Sequence, residues 1–239
     1  MEEQRATEPE KHATAKRYLK YTFFKVDRAW RSLVREEQQV ARKEFIEVLM
    51  KPRDETGLSY FSLVGLRGDT DFMILADSPT LDSFPSLLSE LLSTRLGRYL
   101  DTPYSYLAMT RRSPYLGSHK HPGQEGTGAD DPRTSSRYLF VYPFIKKREW
   151  YKLPFTERQR MMAEHFKIGH KYPRIKINTG YSFGLDDQEF MLGFEGDDPS
   201  EFLALVEELR SSEASMYTQL ETPIFSCLRV EPERMLDLV

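Results

Sequence analysis

The sequence predicts an α+β fold built from two copies of one β-α-β-β-α-β unit, with antiparallel sheets and helices on their outer faces. Three observations predict it. Strand-like and helix-like patterns follow one another in the same order in both halves. The two tryptophans, Trp30 and Trp150, stand 120 residues apart, and other identities recur at that offset. A polar, aperiodic stretch at 111–136 separates the halves.

In the first half, Tyr18–Val26 is aromatic and β-branched and reads as a strand. Over 29–50, Trp30, Leu33, Val34, Val40, Ala41, Phe45, Val48 and Leu49 recur mostly at helical spacing. Segments 57–64 and 72–76 read as a hairpin turning at Arg67-Gly68-Asp69. Phe84, Leu87, Leu88, Leu91 and Leu92 mark a helix over 81–96, and 104–110 is a closing strand. The second half repeats the order: a strand at 137–144, a helix at 157–172 after Pro154, and a hairpin of 175–183 and 188–194 around Gly184-Leu185-Asp186-Asp187. A helix at 200–210 follows the start signal Asp197-Asp198-Pro199-Ser200, and 223–230 closes the unit.

At offset 120, Leu33 meets Leu153, Glu37 meets Glu157, Gln39 meets Gln159, Glu44 meets Glu164, and Thr102-Pro103 meets Thr222-Pro223. Asp71-Phe72-Met73 meets Glu189-Phe190-Met191 at 118. The expected organisation is a disordered N-terminus (1–17), a ferredoxin-like repeat (18–110), a flexible bridge (111–136) and a second ferredoxin-like repeat (137–239), together of the dimeric α+β barrel type.

Composition narrows the function. With 39% hydrophobic and 30% charged residues, the 239-residue chain is globular. Aromatics at 13% suit a large core or a pocket for a flat ligand. A net charge of −3 gives no global field for nucleic acid or an anionic membrane. The lone Cys227 excludes an intrachain disulfide and a cysteine-clustered metal site, and suits a reducing cytoplasm. No apolar run approaches the roughly 20 residues of a membrane helix, and the acidic N-terminus lacks the apolar core of a secretory signal.

The difference between the halves points to a site. Glu44-Phe45 in the first half faces Glu164-His165 in the second. An imidazole there can ligate a metal and a phenyl ring cannot. The alternative is a hydrogen-bonded structural histidine. His170, further along the same helix, either shares that face or caps the helix C-terminus. The His119-Lys120-His121 pair in the bridge lacks further ligands nearby and reads as a solvated loop. There is no Gly-rich phosphate loop, no zinc spacing and no nucleophile elbow. One histidine with many aromatics and basic residues suggests a large flat cofactor held by one axial bond.

The stretch Tyr142-Pro143-Phe144-Ile145-Lys146-Lys147-Arg148-Glu149-Trp150-Tyr151-Lys152-Leu153-Pro154 resembles the chlorite dismutase-like haem protein family, most of all its coproheme decarboxylase branch. The resemblance continues through Glu157-Arg158, the run from Met161 to Gly169, Gly184-Leu185-Asp186-Asp187, Asp197-Asp198-Pro199, Glu208-Leu209-Arg210 and Glu213-Ala214-Ser215. It covers 137–230, while the first half agrees in pattern.

The resemblance implies a duplicated ferredoxin-like fold assembled as a homopentamer. It implies a haem b or iron coproporphyrin III cofactor whose iron is held by His165, with Glu213 matching the carboxylate that hydrogen-bonds the ligand's other nitrogen. Tyr142 matches the redox-active tyrosine and Lys146 the lysine that holds a propionate. Phe144 stands where that branch has methionine. The distal position, Arg in chlorite converters and Gln in many decarboxylases, falls at Ile177 or Asn178, which disfavours chlorite conversion. The implied activity is peroxide-dependent decarboxylation of coproheme to haem b in the cytoplasm. A peroxidase-like or chlorite dismutase-like enzyme and a non-catalytic haem carrier are the alternatives.

Overall fold

The structure, a computed structural model, describes residues 16–115 and 136–239. Residues 1–15 of the expected disordered N-terminus, most of the expected bridge, and His119 and His121 lie outside the described residues, whereas Arg17 of that N-terminus is held, its N–H donating to Thr110 Oγ1 at 3.0 Å and its Nε to Asp77 Oδ1 at 2.6 Å. The first half runs β1 (Tyr18–Val26), a 3-10 turn (Arg28–Ser32), α1 (Arg35–Met50), β2 (Gly57–Ser62), β3 (Phe72–Ser78), α2 (Ser83–Ser93), a second 3-10 turn (Leu96–Tyr99) and β4 (Leu100–Thr110). The second runs β5 (Tyr138–Lys146), α3 (Arg148–Lys152), α4 (Phe155–Gly169), β6 (Lys176–Tyr181), β7 (Phe190–Gly196), α5 (Pro199–Arg210), a 3-10 turn (Glu213–Tyr217), β8 (Thr218–Leu220), β9 (Phe225–Arg229) and α6 (Pro232–Asp237).

Within the halves the spatial orders are β4-β1-β3-β2 and β6-β7-β5-β9, so each unit forms a four-stranded sheet. All pairings named here are antiparallel. The two sheets fuse along two seams. β2 joins β9 through Phe61↔Arg229 and Ser62↔Leu228. β4 joins β6 through Met109↔Tyr181 and Thr110↔Gly180. Eight strands thereby close into a barrel, and the short β8 is added on the end of β5.

Strand alternation then sorts the side chains. Tyr21, Phe23, Phe61, Met73, Leu139, Val141, Met191 and Phe225 fill the lumen from both halves. The other face carries the helices. In the first half Phe45 and Leu49 of α1 and Leu87 and Leu91 of α2 cover Phe24, Phe72 and Ile74. In the second, Ile168 of α4 and Leu205 of α5 cover Phe140, Tyr142 and Phe194. α5 starts at Asp198, whose carboxylate accepts the Ser200 N–H at 2.9 Å, with Pro199 in the first turn.

The helix expected over 29–50 is broken. Trp30 sits in a 3-10 turn closed by the Leu33 N–H on its carbonyl at 3.2 Å, and Leu33 is extended before α1 begins. Trp150 repeats this arrangement, with the Leu153 N–H on its carbonyl at 3.3 Å. Both indoles are buried, at 1% and 3% exposure. The tryptophan repeat therefore marks the same turn in each half. No pattern in the chain announces α6, whose Met235 and Leu236 pack into the first half's core.

Candidate functional site

β5 sets the site's geometry. Tyr142, Phe144 and Lys146 are alternate residues of one strand, so they share the outer face with Phe140, under the second-half helices. Tyr142 is 5% exposed and stacks on Phe194 of β7, with centroids 5.8 Å apart. Burial pushes its phenol pKa up, the Glu221 carboxylate adds to that, and Arg210 opposes it. Arg210 and Glu221 form an ion pair.

Lys146 is 9% exposed. Its Nζ donates to the Ala214 carbonyl at 2.8 Å and lies 4.5 Å from the Trp150 ring centroid and 5.3 Å from that of Phe144. Burial brings its pKa down to about 8 against the pull of Glu221 and Glu189. Glu189 fixes the end of β5: its Oε2 accepts the Lys146 N–H at 2.8 Å and the Tyr151 hydroxyl at 2.5 Å, and Arg148 lies 3.5 Å from its other oxygen.

His165 lies four residues after Met161 and three before Ile168, both buried, on the inward stripe of α4. The residue itself is half-buried. No hydrogen bond engages its imidazole among the described residues. Burial, with the nearby Lys146 charge, holds its pKa down to about 4, so at neutral pH the ring is uncharged and keeps a lone pair.

Register places the two distal candidates on opposite faces of β6. Ile177 pairs with Phe194 and shares its outer face, in one cluster with Tyr142 and Ile168. Asn178 points to the other face, where its Nδ2 donates to Glu195 Oε1 at 2.7 Å. The structure brings Ile177 to the site and leaves Asn178 in the lumen. Glu213 lies against α4, its N–H donating to Glu164 Oε2 at 3.4 Å. Both Glu213 oxygens accept from Arg160 Nη2, at 3.0 and 2.8 Å, its side chain is 46% exposed, and no hydrogen bond joins it to His165 among the described residues. His170 is the C-cap residue of α4, its N–H donating to the Phe166 carbonyl at 2.9 Å.

Sequence reasoning missed Glu189, Tyr151 and Glu221. Glu189 had a signal. The acids Asp71 and Glu189 open the matched triplets, and an acid retained at one place in both halves marks a shared buried task. Glu221 had none, because it belongs to the segment 221–224 between the pairings Ile145↔Leu220 and Val141↔Phe225.

The residues fit a flat metal macrocycle bearing carboxylates. One neutral nitrogen donor is unengaged, a desolvated ammonium is at hand for a carboxylate, and the walls are aromatic and aliphatic. Among the described residues no cluster of three or more His, Cys, Asp or Glu could hold a bare metal ion, and no helix is long and apolar enough to cross a membrane.

The fold is a helix-clad, duplicated α+β barrel with the candidate residues Tyr142, Lys146 and His165 on its second half. The family model described as chlorite dismutase matches residues 37–230, and the chain belongs to the chlorite dismutase family. It is 32% identical over 191 residues, 78% of this chain and 80% of the relative, to a Mycolicibacterium smegmatis protein named coproheme decarboxylase. Among solved structures, chlorite dismutase from Candidatus Nitrospira defluvii in complex with imidazole superposes with a TM-score of 0.84 at 23% identity, covering 92% of this chain and 94% of that one. A haem-binding protein from Thermus thermophilus gives 0.82 at 23% identity, covering 95% and 100%.

Proposed function

We propose that the chain binds iron coproporphyrin III through His165 and, with hydrogen peroxide, converts two propionates to vinyl groups to give haem b. The observation that carries this reading is the spacing on β5. Tyr142 and Lys146 are two alternations apart on the face that α4 covers, and α4 presents the unengaged imidazole of His165. The relative named coproheme decarboxylase supports it.

Bound iron porphyrin would supply the redox chemistry, with peroxide as oxidant. The chain's own groups have separate tasks. His165 would hold the iron through its neutral ring nitrogen. Lys146, already desolvated, holds a propionate carboxylate by charge. Phe144 and Ile177 exclude water from the reacting edge. Tyr142 would give its hydroxyl hydrogen atom to the peroxide-oxidised porphyrin and would regain one from a propionate β-carbon. In balance, each propionate would lose carbon dioxide, two electrons and one β-proton, and each peroxide would take up those electrons, that proton and one more from solvent to become two waters. The same reading takes the enzyme to be cytoplasmic and pentameric.

The test is the mass of the porphyrin recovered after peroxide is added to the protein loaded with iron coproporphyrin. Loss of two carboxyl groups supports the reading. An unaltered porphyrin, with tight binding of haem b, would turn it to a peroxidase or carrier. Ile177 supports negligible chlorite turnover, since an alkyl side chain cannot hold an oxyanion.

A further inference from the structure

The lumen contains a carboxyl group that the proposed chemistry does not use. Glu195 of β7 is 3% exposed. Its Oε1 accepts from Asn178 Nδ2 at 2.7 Å and its Oε2 from Arg229 Nη2 at 3.1 Å. Arg229 also donates from Nε to the Ser136 carbonyl at 2.9 Å and lies 4.6 Å from the Phe61 ring centroid, across the β2–β9 seam. Beside Glu195 is a cavity of about 20 Å³, lined by Tyr21, Asn178, Thr179 and Leu139 among others. That is room for one water with polar partners.

We propose that Glu195 is a buried proton-binding site whose ionisation loosens the seam between the two halves of the barrel. The neighbours can serve both protonation states. When ionised, the carboxylate accepts from Asn178 and Arg229. When neutral, it needs an acceptor, and a reversed Asn178 amide or a water in the cavity can each provide one.

The groups facing it are Arg229 from β9, Asn178 and the more distant Lys176 from β6, and Tyr21 from β1. The cations favour the ionised form, but burial outweighs them and pushes the Glu195 carboxyl up to about 7. The closed barrel therefore holds the proton more tightly than an opened seam, where water would restore an ordinary carboxylate. Between the two values the closed state binds more protons, so its advantage falls as pH rises. The seam is sensitive because β2 and β9 meet through Phe61↔Arg229 and Ser62↔Leu228.

The experiment is hydrogen exchange on the full chain, corrected for intrinsic rates, read at the Val230 amide, which donates to the Tyr60 carbonyl across the seam. Wild-type protection should fall between pH 5 and 7, by at most about tenfold per pH unit for one proton. Glu195→Gln, neutral at every pH, should show no such slope and should keep the protection of the acid form. A wild-type profile parallel to that of Glu195→Gln between pH 5 and 7 would overturn the proposal. If the variant does not fold, infrared titration of the wild-type carboxyl decides. A protonated carboxyl disappearing near neutral pH supports the site, and full ionisation by pH 5 refutes it.

Discussion

Asp71 and Glu189 hold the ends of equivalent strands: each carboxylate accepts a strand-end amide at 2.8 Å, Asp71 from Val26 and Glu189 from Lys146. The two amides are 120 residues apart. The second oxygen of Asp71 meets the partly exposed Lys25 at 2.9 Å, whereas Glu189 also takes the Tyr151 hydroxyl. The duplicated support thus became, in the second half, the anchor of the strand that carries Tyr142 and Lys146.

Removing that anchor should cost stability. Glu189→Ala strands the buried Lys146 N–H, which costs about 1–3 kcal/mol, and releases the half-buried Tyr151 hydroxyl. Glu189→Gln keeps one acceptor and should lose less. Urea titration of both variants measures the difference, and equal midpoints for wild type and Glu189→Ala would contradict the anchoring role.

The second seam gives a packing prediction. A Cβ at Gly180 would come 2.7 Å from the Ala108 Cβ, a rigid neighbour, with the Leu19 Cδ1 at 3.6 Å. Gly180→Ala should therefore destabilise the fold by about 1–3 kcal/mol through overpacking between β4 and β6. Thermal unfolding measures it, and an unchanged midpoint would mean that the seam opens to accept the methyl group.

The apo protein should show the mark of His165 in its pH dependence. The pKa of the ring is down to about 4 in the fold, against 6.5 for an unperturbed imidazole. Between these values the unfolded chain binds more protons, so this group's contribution makes stability rise with pH and is lost on acidification. His165→Phe, which restores the residue type of Phe45, should remove that contribution and gain stability relative to wild type at pH 5. The check is the difference between the two stability curves, and parallel curves would contradict a desolvated imidazole.

Lys146→Met should weaken binding of carboxylated porphyrin. One charge-assisted contact of about 1.5–3 kcal/mol is lost, which is at least about a tenfold rise in Kd. The tetramethyl ester of iron coproporphyrin should be little affected, since it offers no carboxylate. Fluorescence quenching titrations with both ligands separate charge from packing, and equal losses for both would assign Lys146 a packing role.

Much of this was legible in the sequence because local chemistry decides it. The nine-residue aromatic run of β1 and the Leu-rich stripe of α2 announce themselves. The break at Leu33 was not legible, because Trp30 and Phe45 are both buried on either side of it and the apolar pattern continues through the break. The strand pairs that close the expected barrel were hidden as well, since each seam rests on a few backbone pairs such as Thr110↔Gly180, which leave no periodic signature. At the site, the repeat offset singled out His165 against Phe45. The choice between Ile177 and Asn178 required the register with Phe194 and Gly193, because neighbouring strand residues face opposite sides.

The proposed reaction requires Tyr142 to carry the oxidation on a chain that binds iron coproporphyrin through His165. The decisive measurement is the mass of the porphyrin recovered from Tyr142→Phe after peroxide, beside wild type, with binding measured on the same samples. Phe keeps the ring stacked on Phe194 and removes the hydroxyl. Wild type should yield haem b, and Tyr142→Phe a tightly bound porphyrin with its propionates intact. Haem b formed by Tyr142→Phe at the wild-type rate would contradict the role given to the tyrosine.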